Sequence, residues 1–285
     1  MDIKRQARRA LSEDRAWNDV TSRFFVPSKT QAVATIKSRE VGVLAGVDVA
    51  RAVFLERDKK IVFQAFVRDG DLLRPGRTVL EARGSLRSLL SAERSALNFL
   101  SHLSGVASLT RLFVRAVGRR KTIVLETRKT TPGLRELEKY AVRMGGGKNH
   151  RKDLADAVLL KENHLAFFRG ALGRAGLIHQ VQSVRRRGIP VVMECRDRDE
   201  ALWALEAGAD VLLLDNIPSK DLPGLVRWVR QKAKSLHKTP LLEVSGGVTL
   251  ENVGVLALSG VDRVSSGALT HSAPALDFCM DVDVL

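Results

Sequence analysis

The spacing of hydrophobic and polar positions changes rhythm near residue 105. Before it, Lys29–Ser38 (KTQAVATIKS) partly alternates apolar and polar residues, the period of a half-buried strand. Asp69-Gly70, Pro75-Gly76 and Gly84 are turn signals that bracket Leu72–Leu80. Over Leu86–Val117, Leu90, Leu97, Leu100, Leu103 and Val106 recur close to a helical period among small Ala and Ser residues, which predicts a helix. Thereafter apolar runs predict strands at Thr122–Leu125, Ala157–Leu160, Ile189–Met193, Val211–Leu214, Leu241–Val244 and Asp262–Ser265. They begin about 20–35 residues apart with helical stretches between, so they read as repeated βα units and a parallel sheet or barrel. The repeat alone leaves open a closed barrel or an open doubly wound sheet.

Each predicted strand runs into polar chemistry. Thr122–Leu125 is followed by Glu126-Thr127-Arg128-Lys129, Ala157–Leu160 by Lys161 and Glu162, and Ile189–Met193 by Glu194. Val211–Leu214 runs into Asp215-Asn216, Leu241–Val244 into Ser245-Gly246-Gly247, and Asp262–Ser265 into Ser266-Gly267. In barrels and open α/β sheets the C-terminal ends of the strands form the catalytic edge.

Composition narrows the classes. With 45% hydrophobic residues the chain can build a core, and two cysteines cannot make a disulfide scaffold or a Cys-rich zinc module. No apolar run reaches the length of a membrane span, and the basic start MDIKRQARRALSEDRAW lacks the apolar core of a secretory signal, so a soluble cytoplasmic protein is expected. The balance of 47 Lys+Arg against 32 Asp+Glu, +15, favours anionic partners. Its clusters (Arg119-Arg120-Lys121 and Arg185-Arg186-Arg187 among them) are scattered, aromatics are only 5%, and no nucleic-acid module is present, which disfavours nucleic-acid binding.

The strand ends then suggest an anion site. Thr131 suits an N-cap and Pro132 a first helical position. With the stripe Leu134, Leu137, Ala141 and Met144 they predict a helix after Arg128 and Lys129, stopped by Gly145-Gly146-Gly147. Cations beside a helix N-terminus would favour an anion. The following GGGKNHR is not a phosphate-binding P-loop, because Val142 stands five before Gly147 and Asn149 follows Lys148. It reads as a flexible turn that delivers His150 and Arg151. Lys161, directly after four apolar residues, requires either an anion or a neighbouring acid. Glu194 and Asp215, at consecutive strand ends, could hold Mg²⁺, stabilise an oxocarbenium-like sugar, or neutralise Arg128 and Lys161. The last two strand ends, in the place where barrels bind phosphate, carry the glycine loops.

The block from Leu125 to Leu165, LETRKTTPGLRELEKYAVRMGGGKNHRKDLADAVLLKENHL, resembles the quinolinate phosphoribosyltransferase family. So do AERSALNFLSHLSGVAS (Ala92–Ser108), LLLDN (Leu212–Asn216), LEVSGGVTLENV (Leu242–Val253) and SGALTHSAPALD (Ser266–Asp277). Departures are Glu126 for the usual Asp, Asn18 for a Gly, Val192 for an acid, and Lys148 and Ser266 for small or apolar residues. The resemblance implies transfer from phosphoribosyl pyrophosphate (PRPP) to quinolinate with decarboxylation. The products would be nicotinate mononucleotide, CO₂ and pyrophosphate, in NAD biosynthesis and with Mg²⁺. It implies an N-terminal α+β sandwich-like domain over residues 1–105 joined by 268–285, and an incomplete, seven-stranded parallel α/β barrel over 106–267. Arg128, Lys129, His150, Arg151 and Lys161 would bind substrate, and Glu194 and Asp215 would face ribose and metal. Ser245, Gly246, Gly247, Ser266 and Gly267 would hold phosphate. A homodimer or dimer-based hexamer with shared sites is implied too, Arg94 reaching into the partner subunit's site. Molybdenum-transport-associated relatives share TRKTTPG, but the ERSALN, NHR and LLLDN segments favour quinolinate chemistry.

Overall fold

The alternation of Gln31–Ser38 becomes one strand of an antiparallel sheet, with Ala32, Ala34, Ile36 and Ser38 buried and the residues between them more exposed. The computed structural model of the chain describes residues 2–285, so of the expected N-terminal domain only Met1 lies outside the described residues. The sheet has four strands in the order Phe278–Val284, Gln31–Ser38, Thr78–Ser85, Val62–Ala65. The C-terminal strand pairs with the first one, Ala34 opposite Val282 on one side and Ala82 on the other. Over the sheet lie Phe54 of the Val47–Arg57 helix and Leu89, Leu97 and Leu100 of the Leu86–Val117 helix, in one core with Ile36 and Leu80. Leu89, not Leu90, lies on the buried stripe of that long helix. These elements belong to a compact unit that includes the chain up to Arg111, residues 132–146 and residues 272–285.

The second unit, residues 112–131 and 147–271, holds the βα repeat. Its six strands are Ile123–Leu125, Val158–Leu160, Val191–Cys195, Val211–Asp215, Leu241–Ser245 and Arg263–Ser265. All pairings are parallel, and the spatial order is first, sixth, fifth, fourth, third, second. That is the circular order of a barrel left open at one seam, between the first and second strands. The alternative of an open doubly wound sheet is thereby closed. Among the described residues there are six strands instead of the implied seven. Along the seam the chain makes only a single bridge, Leu125 with Lys148, before it turns away. The central strands are buried on both faces, as parallel strands under helices must be. Every residue of Val191–Cys195 is buried, and Leu159, Val192, Val211 and Leu213 pack together.

One helix start differs from expectation. The helix covers Arg135–Met144, with Leu134 at its N-cap position, so neither Thr131 nor Pro132 begins it. Gly133 has φ +82°, a left-handed conformation that cannot sit inside a right-handed first turn. Arg128 and Lys129 therefore do not lead straight into a helix. The glycine run that follows is not a loose tether. The Lys148 N–H donates to the Val124 carbonyl at 2.9 Å and the His150 N–H to Glu126 at 3.1 Å, which pin this segment to the end of the first strand.

Two helical glycines give opposite expectations. A Cβ on Gly105 would lie 2.1 Å from the Pro274 carbonyl oxygen, whereas one on Gly224 would meet nothing within 4 Å. Gly224→Ala is expected to raise stability by up to about 1 kcal/mol through helix propensity. Gly105→Ala should lower it by about 1–3 kcal/mol despite the same propensity gain. Urea denaturation of both variants checks the sign.

Candidate active site

The ends of the barrel strands surround a cleft of about 690 Å³. Arg128 and Lys129 enter it from the end of the first strand, His150 and Arg151 from the pinned segment after the glycine run, and Lys161 from the end of the second strand. Glu194 and Asp215 come from the third and fourth strands. Ser245, Gly246 and Gly247 close the fifth, and Ser266 and Gly267 the sixth. Of the residues singled out at strand ends, all but the buried Glu126 thus line one cleft. Arg94 does not line it. Arg94 is exposed on the Leu86–Val117 helix, where its nearest acid is Glu93 at 3.7 Å.

Like charges crowd this space. The Arg128 Nε is buried and has no hydrogen-bond partner. Arg151 donates through Nη1 to the Ala157 carbonyl at 2.9 Å. Burial, and then the nearby Arg128 charge, hold the Arg151 guanidinium below its usual pKa, so an anion between them would relieve both. Lys161 meets its need for an acid through Glu194, Nζ to Oε1 at 2.9 Å, while its side chain stays 49% exposed to the cleft. Glu194 itself is buried. That burial pushes its carboxyl up from the ordinary range, against the opposing pull of the Lys161 hydrogen bond and charge.

Backbone geometry shapes the other wall. Asp215 accepts from the Asn216 side chain at 2.8 Å, and Asn216 turns the chain with φ 55°. Gly246 has φ +87°, and a Cβ there would lie 2.2 Å from Asn216 Oδ1, so the fourth and fifth strand ends meet only because this residue is glycine. Asn252 fixes the same loop, donating to the Gly247 carbonyl at 2.8 Å and accepting the Thr249 N–H at 2.9 Å. Ser266 stitches the last loops together, its hydroxyl on the Val248 carbonyl at 2.7 Å and its N–H on the Leu125 carbonyl at 3.0 Å.

Several residues that matter here are not evident from strand-end reading. Thr249 and His271 also line the cleft. Beneath it lie two fully buried carboxylates, Glu126 and Glu243. Glu126, seen in sequence as a strand-end residue and a departure but not as a buried partner of His150, accepts the His150 N–H. Glu243 stands in the middle of an apolar strand, and a lone charge in such a run is the signal that could have found it.

The acids in the cleft bear on metal binding. Among the described residues no three His, Cys, Asp or Glu side chains converge as a metal cage. Glu194 and Asp215 supply two carboxylates in a cleft also lined by the Ser245-Gly246-Gly247 and Ser266-Gly267 loops. That donor set fits a magnesium ion shared with substrate phosphates and water, and not one held by protein alone.

Comparison with known proteins agrees with this architecture. The family models described as quinolinate phosphoribosyl transferase, N-terminal domain and C-terminal domain, match residues 19–104 and 106–281. The nicotinate-nucleotide pyrophosphorylase [carboxylating] of Mycobacterium leprae is 39% identical over 282 residues, 96% of this chain and 95% of the relative. A Bacillus subtilis relative, named a probable enzyme of the same activity, is 36% identical over 99% of this chain and 94% of its own. The crystal structure of NadC from Streptococcus pyogenes superposes with a TM-score of 0.90 at 39% identity, covering 100% of this chain and 97% of that one. The nicotinate-nucleotide pyrophosphorylase structure from Francisella tularensis gives 0.89 at 36% identity, with 99% and 96% covered. On sequence, fold and the make-up of its cleft, the chain belongs to the quinolinate phosphoribosyltransferase family.

Proposed function

We propose that this protein transfers the phosphoribosyl group of PRPP to quinolinate with loss of CO₂, giving nicotinate mononucleotide and pyrophosphate. The observation that carries this reading is one cleft that gathers Arg128, Lys129, Arg151 and Lys161 on one side and the Ser245-Gly246-Gly247 and Ser266-Gly267 loops on the other. Quinolinate is a dianion and PRPP is more negative still, so both need cations. A charge-assisted hydrogen bond contributes about 1.5–3 kcal/mol, and the loss of either arginine should cost roughly 10–150-fold.

In this reading the cations hold the two quinolinate carboxylates so that the ring nitrogen faces the anomeric carbon of the sugar. The nitrogen's lone pair forms the new C–N bond as the bond to pyrophosphate breaks. Glu194 and Asp215 face the ribose as its positive charge develops. When CO₂ departs, its bonding electron pair stays on the adjacent ring carbon, where the positive charge of the pyridinium nitrogen stabilises it, and that carbon then takes a proton. Positioning and electrostatics do the work, without a covalent nucleophile. Magnesium, bound with the phosphates, would be held by Asp215 and Glu194 and would neutralise the leaving pyrophosphate. We place Arg94 in the partner subunit's cleft within a homodimer, a reading supported by its exposure on the long helix. No helix of the described residues is long and apolar enough to cross a membrane. We propose a cytoplasmic location by likeness to the bacterial relatives, although a Nicotiana tabacum relative is named mitochondrial.

The direct assay uses purified protein with quinolinate, PRPP and Mg²⁺, and follows CO₂ release and nicotinate mononucleotide. Product is expected only when all three are added, and none from folded protein would refute the reaction. Asp215→Asn should lower turnover far more than quinolinate affinity measured by titration, and an equal loss of both would remove its role at the sugar. Mixing Arg94→Ala with Lys161→Ala protein should restore part of the activity, since each hybrid dimer would hold one intact site. With subunit exchange verified, no recovery would count against a shared site.

A further inference from the structure

Glu243 sits at the centre of the Leu241–Ser245 strand and is fully buried. Parallel pairing places it beside Leu213 on one neighbouring strand and Arg263 on the other. A carboxylate removed from water is costly unless charges and hydrogen bonds replace its hydration. Neither Glu243 oxygen has a partner at hydrogen-bonding geometry. The side chains within reach are the Arg263 guanidinium, with Nη1 3.9 Å from Oε2, and the His150 ring, with Nε2 3.3 Å from Oε1.

His150 is held from three directions. Its N–H donates to the carboxylate of Glu126, which is fully buried as well. Its Nδ1 accepts the Arg151 N–H at 2.7 Å. A neutral imidazole that accepts at Nδ1 carries its proton on Nε2, and Nε2 is the atom that faces Glu243. The two buried acids therefore divide one task, Glu126 taking the main chain of His150 and Glu243 its ring. The hold extends to Arg151, whose N–H closes onto that ring while its side chain lines the cleft.

We infer that Glu243 is a positioning residue, whose buried carboxylate selects the Nε2–H tautomer of His150 and so sets the His150–Arg151 segment against the cleft. This inference rests on the proposed quinolinate site. An architectural explanation fits the same residue poorly, because an apolar side chain would pair as well in this strand and would spare the fold an unsatisfied carboxylate. A group that burdens stability without helping the fold is the kind retained for a site.

The test combines imidazole ¹⁵N NMR, urea denaturation and kinetics on the full-length enzyme and on Glu243→Gln, with the His150 signal assigned by its loss in His150→Gln. Wild-type His150 is expected as the Nε2–H tautomer. In Glu243→Gln that signal should shift towards a mixture of tautomers, with the urea midpoint unchanged or higher. The KM for quinolinate should rise about tenfold while that for PRPP stays within about twofold, the scale of loss when a carboxylate that orients a functional imidazole is removed. Three outcomes would each overturn the inference: a wild-type Nδ1–H tautomer, a Glu243→Gln variant that is destabilised or fails to fold, or an unchanged KM for quinolinate. Failure of the underlying reaction would look different. The wild-type protein would be inactive, and the tautomer shift in Glu243→Gln would still decide whether Glu243 positions His150.

Discussion

Four cationic side chains converge at neighbouring strand ends, and their mutual repulsion must be borne before any anion arrives. At an effective dielectric near 20, two unit charges 4 Å apart repel by about 4 kcal/mol, comparable to a large part of a domain's stability. The barrel offsets this locally. Glu194 pairs with Lys161, and the buried Glu126 and Glu243 flank the backbone and ring of His150. The offset is partial by design of the geometry. Arg128 keeps a buried Nε without a partner, and Arg151 is disfavoured as a cation by burial and by Arg128. The unfilled remainder is what an anionic ligand would supply.

The same logic explains why the acids are distributed as they are. Glu194 and Asp215 stand on strands between the cationic side and the glycine loops, where a sugar between carboxylates and phosphates would lie. Glu194 is shared between two duties, since the carboxylate that neutralises Lys161 also faces the cleft. A ligand carboxylate that drew Lys161 towards itself would leave Glu194 more available to developing positive charge on the ribose. Binding of one substrate would in that way prepare the group that serves the other.

Strand-end chemistry was legible because a parallel barrel converts a one-dimensional repeat into a ring. Six apolar runs, each ending in polar residues, collected ten of the thirteen singled-out side chains and loop positions into one cleft, and the segment after the glycine run added His150 and Arg151. What was hidden depended on contacts distant in sequence or on backbone sign. Pro132 looked like a helix start, but the left-handed Gly133 after it delayed the helix to Arg135. Glu243 was absorbed into an apolar strand, because periodicity weighs a run as a whole and cannot show that one member faces a histidine far back in the chain. The seam of the barrel was likewise invisible, since the bridge of Leu125 with Lys148 is a pairing and not a pattern.

The surplus of +15 does not create the site, although both are cationic. At about 0.1 M salt the Debye length is roughly 10 Å, so exposed charges on the outer helices are screened from the cleft. Many of those arginines are occupied elsewhere. Burial pushes the Glu200 carboxyl up, yet hydrogen bonds from Arg196 and Arg169 bring it down to about 2. Arg230 binds Asp262 and Arg185 binds Asp210, while Arg169 and Arg174 lie over the Trp203 ring. These contacts staple helices to one another and to strands. Arg128 and Arg151 differ from them in that Arg128 Nε has no partner and Arg151 donates to a carbonyl, and it is this local imbalance, not the total charge, that would favour an anion in the cleft.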